Sequence, residues 1–283
     1  MSNPSILLTG GTGKTGRRIA AQLAGKGLKA RIASPTGAGT AGHQGVRFDW
    51  LNESTHAAAL AGISAVYLLA PAGVAEPLPA MQPFLDQALN AGVHRFVLLS
   101  ASSLEEDGPM MGQVHAYLKR NAPEWAVLRS TWFMQNFSEQ QHLPTIRDEG
   151  RIYSATGDGR VPFIDADDIA AVAVTALTSG TAFNRDIVIT GPQALSYDEA
   201  AAIIGQTIGR RIEHVRLSEE ELAQRHQALG LNEAYARALA AMDTAIAHGA
   251  EDRVTNEVQV VTGRPPRGLA SFALQEQKVW NPA

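Results

Sequence analysis

The 283-residue chain contains no cysteine, which excludes disulfides, thiolate metal sites and cysteine nucleophiles. No apolar run approaches the ~20 residues of a membrane span. No basic segment with an apolar signal core stands ahead of the first strand, so a cytoplasmic protein is expected. A net charge of −4 and a pI near 6.1 argue against nucleic acid or an anionic membrane as the main partner. The eight histidines include no two at i,i+3 or i,i+4 and no His-Glu-x-x-His, so no metal site is expected. No Gly-x-Ser-x-Gly elbow of a serine hydrolase occurs either.

What is present begins with Ser5-Ile6-Leu7-Leu8-Thr9-Gly10-Gly11-Thr12-Gly13-Lys14-Thr15-Gly16, an apolar run ending in a glycine-rich turn. Arg17 to Ala24 continue at helical spacing. Strand, tight turn and helix start are what a dinucleotide requires, because bare amides approach a pyrophosphate where no Cβ intervenes. Both Gly11-x-Gly13-x-x-Gly16 and Gly10-x-x-Gly13-x-x-Gly16 fit dinucleotide fingerprints. The P-loop alternative suggested by Gly13-Lys14-Thr15 requires a glycine five residues earlier, where Leu8 stands. Gly10, Thr12, Gly13, Lys14, Thr15 and Gly16 are therefore candidate cofactor ligands.

One absence is local. From Arg17 to Phe48 there is no acidic residue, while Arg17, Arg18, Lys26, Lys29, Arg31 and Arg47 are basic. An NAD-specific fold places a carboxylate at the end of its second strand to hold the ribose hydroxyls. Here that strand, Leu28–Ala33, ends at Ser34. Without the carboxylate nothing repels a 2′-phosphate, so NADP(H) is favoured over NAD(H). Beyond the third strand, Asp49 and Trp50 are placed at the adenine. Leu69, Ala70 and Pro71 end the fourth strand at the carboxyl edge, where ligands of such sheets bind.

Apolar strands at 65–69, 95–99 and 125–128 alternate with helices near 79–90 and 111–120, which implies a doubly wound parallel α/β sheet. Residues 1–150 are expected to form a dinucleotide-binding domain. Residues 151–283 are expected to form a smaller α+β substrate region interleaved with it, some strands returning to the main sheet. Gly150–Gly159 reads as a turn-rich connection, and Ser196-x-x-Glu199 and Ser218-x-x-Glu221 as capping boxes.

For chemistry, the tyrosine–lysine pair of ordinary short-chain dehydrogenases is missing. The residues four after each tyrosine are Pro71, Asn121, Gly157, Ala201 and Leu239. His115-x-x-x-Lys119 is the nearest substitute, read either as an exposed helix pair or as a pair touching substrate. Ser100, Ser102 and His115 are the candidate catalytic set, Ser100 doubling as a cofactor contact. Trp132, Phe133, Phe137, Tyr153 and Phe163 are candidate substrate-cleft residues, with core packing as the alternative.

Several stretches carry a resemblance: Leu8–Arg18, Val46–Trp50, Val97–Ser102, Leu128–Phe137, Gly157–Asp165 and Thr262–Arg267. The chain resembles the NmrA-like atypical short-chain dehydrogenase/reductase family, and within it bacterial relatives of the ergot-alkaloid pathway reductases. The resemblance implies an NAD(P)-binding Rossmann domain and a small C-terminal region that closes a substrate cleft over the nicotinamide. It covers reductases of imines, quinones, dyes and enones, and also regulators that sense the dinucleotide without turning it over. A glutamate often stands where this chain has His115. The leading expectation is an NAD(P)H-dependent reductase of a small, largely apolar molecule. A homodimer is compatible with it, and a non-catalytic NAD(P) sensor of the NmrA type is the alternative.

Overall fold

The computed structural model describes residues 6–281, so Ser5, where the sequence places the start of the first strand, lies outside the described residues. The chain opens with β1 (Ile6–Thr9), α1 (Gly16–Gly25), β2 (Ala30–Ser34), β3 (Gln44–Arg47) and α2 (His56–Leu60). It continues through β4 (Ala65–Leu68), α3 (Pro77–Asn90), β5 (Arg95–Ala101), α4 (Met111–Asn121) and β6 (Glu124–Ser130). After α5 (Gln135–Ser138), β7 (Arg151–Ser154) and β8 (Arg160–Val161) come α6 (Ala166–Thr178) and β9 (Arg185–Ile189). The remainder holds β10 (Leu195–Ser196), α7 (Tyr197–Ile208), β11 (Glu213–Arg216), α8 (Glu219–Ala228), α9 (Glu233–Ala247), α10 (Glu257–Thr262) and α11 (Leu269–Trp280).

Among the described residues the main sheet has seven strands in the order β3-β2-β1-β4-β5-β6-β9, and β1 to β6 pair in parallel. This is the doubly wound parallel α/β sheet expected from the sequence. Its strand order reverses between β1 and β4, opening a crevice at their carboxyl ends. Ile6–Thr9 and Ala65–Leu68 are wholly buried, as unbroken apolar runs in a two-sided sheet must be. Leu7, Ala33, Val66, Phe96, Leu98 and Val127 point to one face, packing with Phe84, Leu85 and Leu118 of α3 and α4.

The chain divides into two compact units, Met1–Ser130 with Ala166–Val188, and Thr131–Asp165 with Ile189–Ala283. A single cut at residue 150 does not describe it, because α6 and most of β9 belong with the first unit. The second unit has its own core, in which Phe137, Phe163, Tyr197, Phe272 and Trp280 are packed with Ile152 and Ile204.

Two local expectations need correction. The turn-rich connection at 150–159 contains β7, paired in parallel with β11 from Arg151↔Glu213 to Ser154↔Arg216. The run Trp132-Phe133-Met134-Gln135-Asn136-Phe137 reads in sequence as the opening of a helix, but α5 begins only at Gln135, since Phe133 forms a bridge with Ile164 and Met134 donates its N–H to the Ile164 carbonyl at 2.8 Å. Both capping boxes are formed, with Ser196 and Glu199 on α7 and Ser218 and Glu221 on α8.

Candidate functional site

The glycine loop leaves β1 and enters α1 at the strand-order reversal. Gly13 donates to the Gly10 carbonyl at 2.9 Å, closing the turn. Three hydroxyls hold it beneath. Thr9 Oγ1 donates to the Tyr67 carbonyl at 3.0 Å and accepts from the Leu69 N–H at 2.8 Å, tying the end of β1 to the end of β4. Thr15 Oγ1 and Tyr67 Oη are 2.9 Å apart, both buried. Burial pushes the Tyr67 hydroxyl well above its ordinary range, so it stays protonated and able to donate. Tyr67 was legible only as part of an apolar strand, although a hydroxyl inside such a strand has to find a partner.

The glycines separate into two kinds. A Cβ on Gly16 would stand 2.3 Å from the Gly10 carbonyl oxygen, so the fold itself requires glycine there. A Cβ on Gly13 would meet only that same oxygen, at 3.1 Å, with Leu69 Cδ2 next at 4.0 Å, so the space above it is open. The first turn of α1 carries neither a side-chain cap nor an acidic residue, which leaves its positive end available to an anion. Lys14 and Thr12 flank this opening, and Leu69, Ala70 and Pro71, all half-buried, form its β4 side.

Ser100 ends the buried stretch of β5. It is 7% exposed, and its Oγ has no hydrogen-bond partner. Ser102 is fully buried, its N–H donating to the Ser130 carbonyl at 2.9 Å. Arg129 holds the loop beyond β5, a role not visible in the sequence. It donates to the Ser102 carbonyl at 2.8 Å and to Asp186 Oδ2 at 2.8 Å, and also to Glu105. An open path above Gly13, an uncapped helix start and an unpartnered buried hydroxyl at the same sheet edge fit a dinucleotide, with its pyrophosphate at the glycines.

Of the residues expected at the adenine end, Ser34 is buried and donates from Oγ to the Ala38 carbonyl at 3.3 Å. Asp49 is exposed and accepts from the Leu51 N–H at 2.9 Å, while Trp50 packs edge-on against Phe48 and Phe84.

His115 does not join Ser100 and Ser102. Only 3% exposed, it lies on the sheet-facing side of α4 with its ring 5.4 Å from that of Trp125, at the opposite end of β6 from Ser130. Neither ring nitrogen has a hydrogen-bond partner, and desolvation holds its pKa below the ordinary histidine value. Lys119 points elsewhere, forming an exposed ion pair with Glu106 at 2.7 Å. The pair fails because Val114, His115 and Leu118 share the buried stripe of the helix, while Lys119 lies outside it.

Of the five aromatics placed at a substrate cleft, Phe137 and Phe163 are core residues, their rings 5.1 Å apart, with Tyr197 edge-on to both. Tyr153 donates to Glu149 at 2.6 Å, and the Arg225 guanidinium lies 3.9 Å from its ring centre. Trp132 and Phe133 are half-buried and keep exposed surface. Beside Trp132 lies Asp243, whose carboxyl is pushed up to about 6 by burial and accepts from the Ala155 N–H at 3.2 Å. Among the described residues no group of three or more His, Cys, Asp or Glu could hold a metal ion, and no helix is long and apolar enough to cross a membrane.

A family model described as NAD(P)H-binding matches residues 10–180. An oxidoreductase of Bacillus subtilis is 46% identical over 280 residues, covering 99% of this chain and 98% of the relative. Agroclavine dehydrogenase of Claviceps fusiformis is 41% identical over 285 residues, covering 98% of each. Among solved structures, an NADPH-dependent quinone oxidoreductase of Escherichia coli in complex with NADPH superposes with a TM-score of 0.80 at 21% identity, covering 95% of this chain and 99% of that one. The match spans the glycine loop and every strand from β2 to β6, and the relatives run the full length: the chain belongs to the NAD(P)H-binding family of oxidoreductases, as an atypical short-chain dehydrogenase/reductase.

Proposed function

We propose that this NAD(P)H-dependent oxidoreductase uses NADPH to reduce a small, largely apolar acceptor that is already polarised, an iminium or a conjugated C=C–C=O or quinone system. The observation that carries the proposal is the chemistry of the β5 edge. The hydroxyl presented there is that of Ser100, while the one imidazole expected beside it is packed between α4 and β6.

The glycine loop and the α1 N-terminus would hold the pyrophosphate, and Leu69 to Pro71 would line the path toward the nicotinamide. Bound in this way, NADPH supplies a hydride. A ketone acquiring a hydride becomes an alkoxide and profits from a positioned acid, help typically worth about 10²–10⁴ in rate. A serine hydroxyl is a weak acid, suited to orienting an acceptor by a hydrogen bond rather than to protonating an alkoxide. An iminium is neutralised by the hydride itself and needs no proton in that step. A quinone or enone spreads the charge onto an oxygen that water then protonates. Trp132 and Phe133 are the aromatics assigned to substrate contact.

The sensor alternative loses ground because the full-length relatives are named as an oxidoreductase and a dehydrogenase. Cytoplasmic residence, the absence of a nucleic-acid partner and homodimer formation remain parts of the proposal, the second supported by the net charge of −4. The test is a panel of cyclic iminiums, quinones and plain ketones, followed by loss of NADPH absorbance. Turnover of iminiums or quinones with ketones near background is expected. Fast turnover of an unactivated ketone overturns the proposal.

A further inference from the structure

We propose that Arg47, on β3, is the residue that recognises the 2′-phosphate of NADPH and so separates it from NADH. The proposal rests on the NADPH preference proposed above, and names the side chain that enforces it.

The sheet register places the residue. Ser34 and Arg47 are parallel partners, as are Ala33 and Val46, so each pair shares one face. Ala33 and Val46 belong to the apolar cluster with Phe48 and Phe84. Ser34 and Arg47 therefore face the other way. Ile32, two residues before Ser34 and on the same face, has its Cγ2 2.8 Å from where a Gly11 Cβ would stand. Arg47 thus lies on the glycine-loop face of the sheet, at the carboxyl end of its strand and beside Ser34.

Of the other basic residues of this region, Arg31, Arg18, Lys26 and Lys29 are committed or misplaced, and Arg17 has a partner of its own. Arg31 donates to the Ala59 and Ala61 carbonyls at 2.9 and 2.7 Å, closing the C-terminus of α2 on the opposite face. Arg18 donates to the Lys14 carbonyl at 2.9 Å and approaches Asp167 at 3.5 Å. Lys26 and Lys29 lie between the end of α1 and the start of β2, at the far end of that strand. Arg47 is exposed, and among the described residues its guanidinium makes no hydrogen bond or ion pair.

Its backbone is nevertheless fixed. The Ser34 carbonyl accepts from Gly37 N–H at 3.1 Å and from Phe48 N–H at 2.9 Å, so the turn after β2 and the residue after Arg47 share one anchor. Gly37 has φ +73°, and a Cβ there would stand 3.2 Å from Arg47 N. A tight turn thus rests on a fixed backbone while the guanidinium stays free to meet an anion. A planar guanidinium binds phosphate through two parallel hydrogen bonds, and no carboxylate from Arg17 to Phe48 competes for it.

Calorimetric titration of the wild type, Arg47→Ala and Arg47→Lys tests the assignment, with NADPH, NADH and the fragments 2′,5′-ADP and 5′-ADP as ligands. Loss of charge-assisted hydrogen bonds predicts that Arg47→Ala weakens NADPH and 2′,5′-ADP by about 10–100-fold. NADH and 5′-ADP stay within about twofold, and Arg47→Lys retains part of the discrimination. If Arg47→Ala keeps the wild-type preference for NADPH, or loses both cofactors equally, the assignment is overturned while the NADPH reading stands. A wild type that binds NADH as tightly as NADPH overturns both, and that is seen before any variant is made.

Discussion

The two kinds of glycine in the phosphate loop respond to substitution in opposite ways. In Gly16→Ala the new Cβ would lie 2.3 Å from the Gly10 carbonyl oxygen and 2.6 Å from Gly11 Cα, both backbone atoms with no flexible end to yield. Overpacking of this kind costs about 1–3 kcal/mol, against about 0.5–1 kcal/mol gained from alanine in a helix. A net loss of about 1–2 kcal/mol lowers the melting temperature by roughly 2–8 °C for a chain of this size. In Gly13→Ala the Cβ meets one oxygen at 3.1 Å and otherwise opens to solvent, so the free protein should melt within ~1 °C of wild type. The effect appears when NADPH is added. At a hundred times its dissociation constant the cofactor stabilises wild type by about 2.7 kcal/mol, and a tenfold weaker variant by only about 1.4 kcal/mol. Thermal melts with and without NADPH therefore distinguish the two substitutions. A Gly13→Ala protein that gains as much from NADPH as wild type would refute the placement of the pyrophosphate above Gly13.

Two further outcomes follow from the same geometry. Tyr67→Phe removes the hydroxyl 2.9 Å from Thr15 and leaves that buried threonine unsatisfied, so stability should fall by about 1–2 kcal/mol and NADPH affinity severalfold; chemical denaturation and cofactor titration report both, and unchanged cofactor affinity would mean the bond does not tune the loop. His115→Leu should leave the maximal turnover rate intact and blunt the acid-side loss of stability. Because burial depresses the pKa of His115, its contribution is present above the unfolded value of about 6.5 and is lost as pH falls through the lower folded value. Melts between pH 5 and 8 show this, and a collapse of activity at constant stability would restore a catalytic role to His115.

Much of the first unit was legible because its signals are local. Leu7 and Leu8 run into glycines and Ala65–Leu68 is an unbroken buried run, and in the second unit each capping box likewise lies within four residues of chain. What escaped depends on partners distant in sequence. Ile152 and Tyr153 form a strand because His214 and Val215 lie beside them, roughly 60 residues later. The helix α11 starts at Leu269 behind Gly268, which has no side chain to cap it, so no boundary signal announced it. The candidate site divides in the same way. The glycine turn and the missing carboxylate are written in the sequence, whereas the capping of α2 by Arg31, the burial of His115 and the core positions of Phe137 and Phe163 arise only when elements pack. An aromatic residue has the same identity in a core as on a ligand wall, and only its neighbours tell the two apart.

The return of β9 to the main sheet bears on how the protein is made. The nascent chain completes β6 at Ser130, but the strand that covers the outer edge of β6 ends only at Ile189. At a synthesis rate of about 5–20 residues per second, that edge waits roughly 3–12 s with its ladder of amides and carbonyls unpaired. The residues emerging meanwhile, 131–165, belong to the other unit. A ribosome-bound fragment ending near residue 165 should therefore expose a strand edge that one ending past residue 189 does not. Slow synthesis through this interval, or release of a truncated chain within it, is when the protein is most open to pairing with the wrong strand.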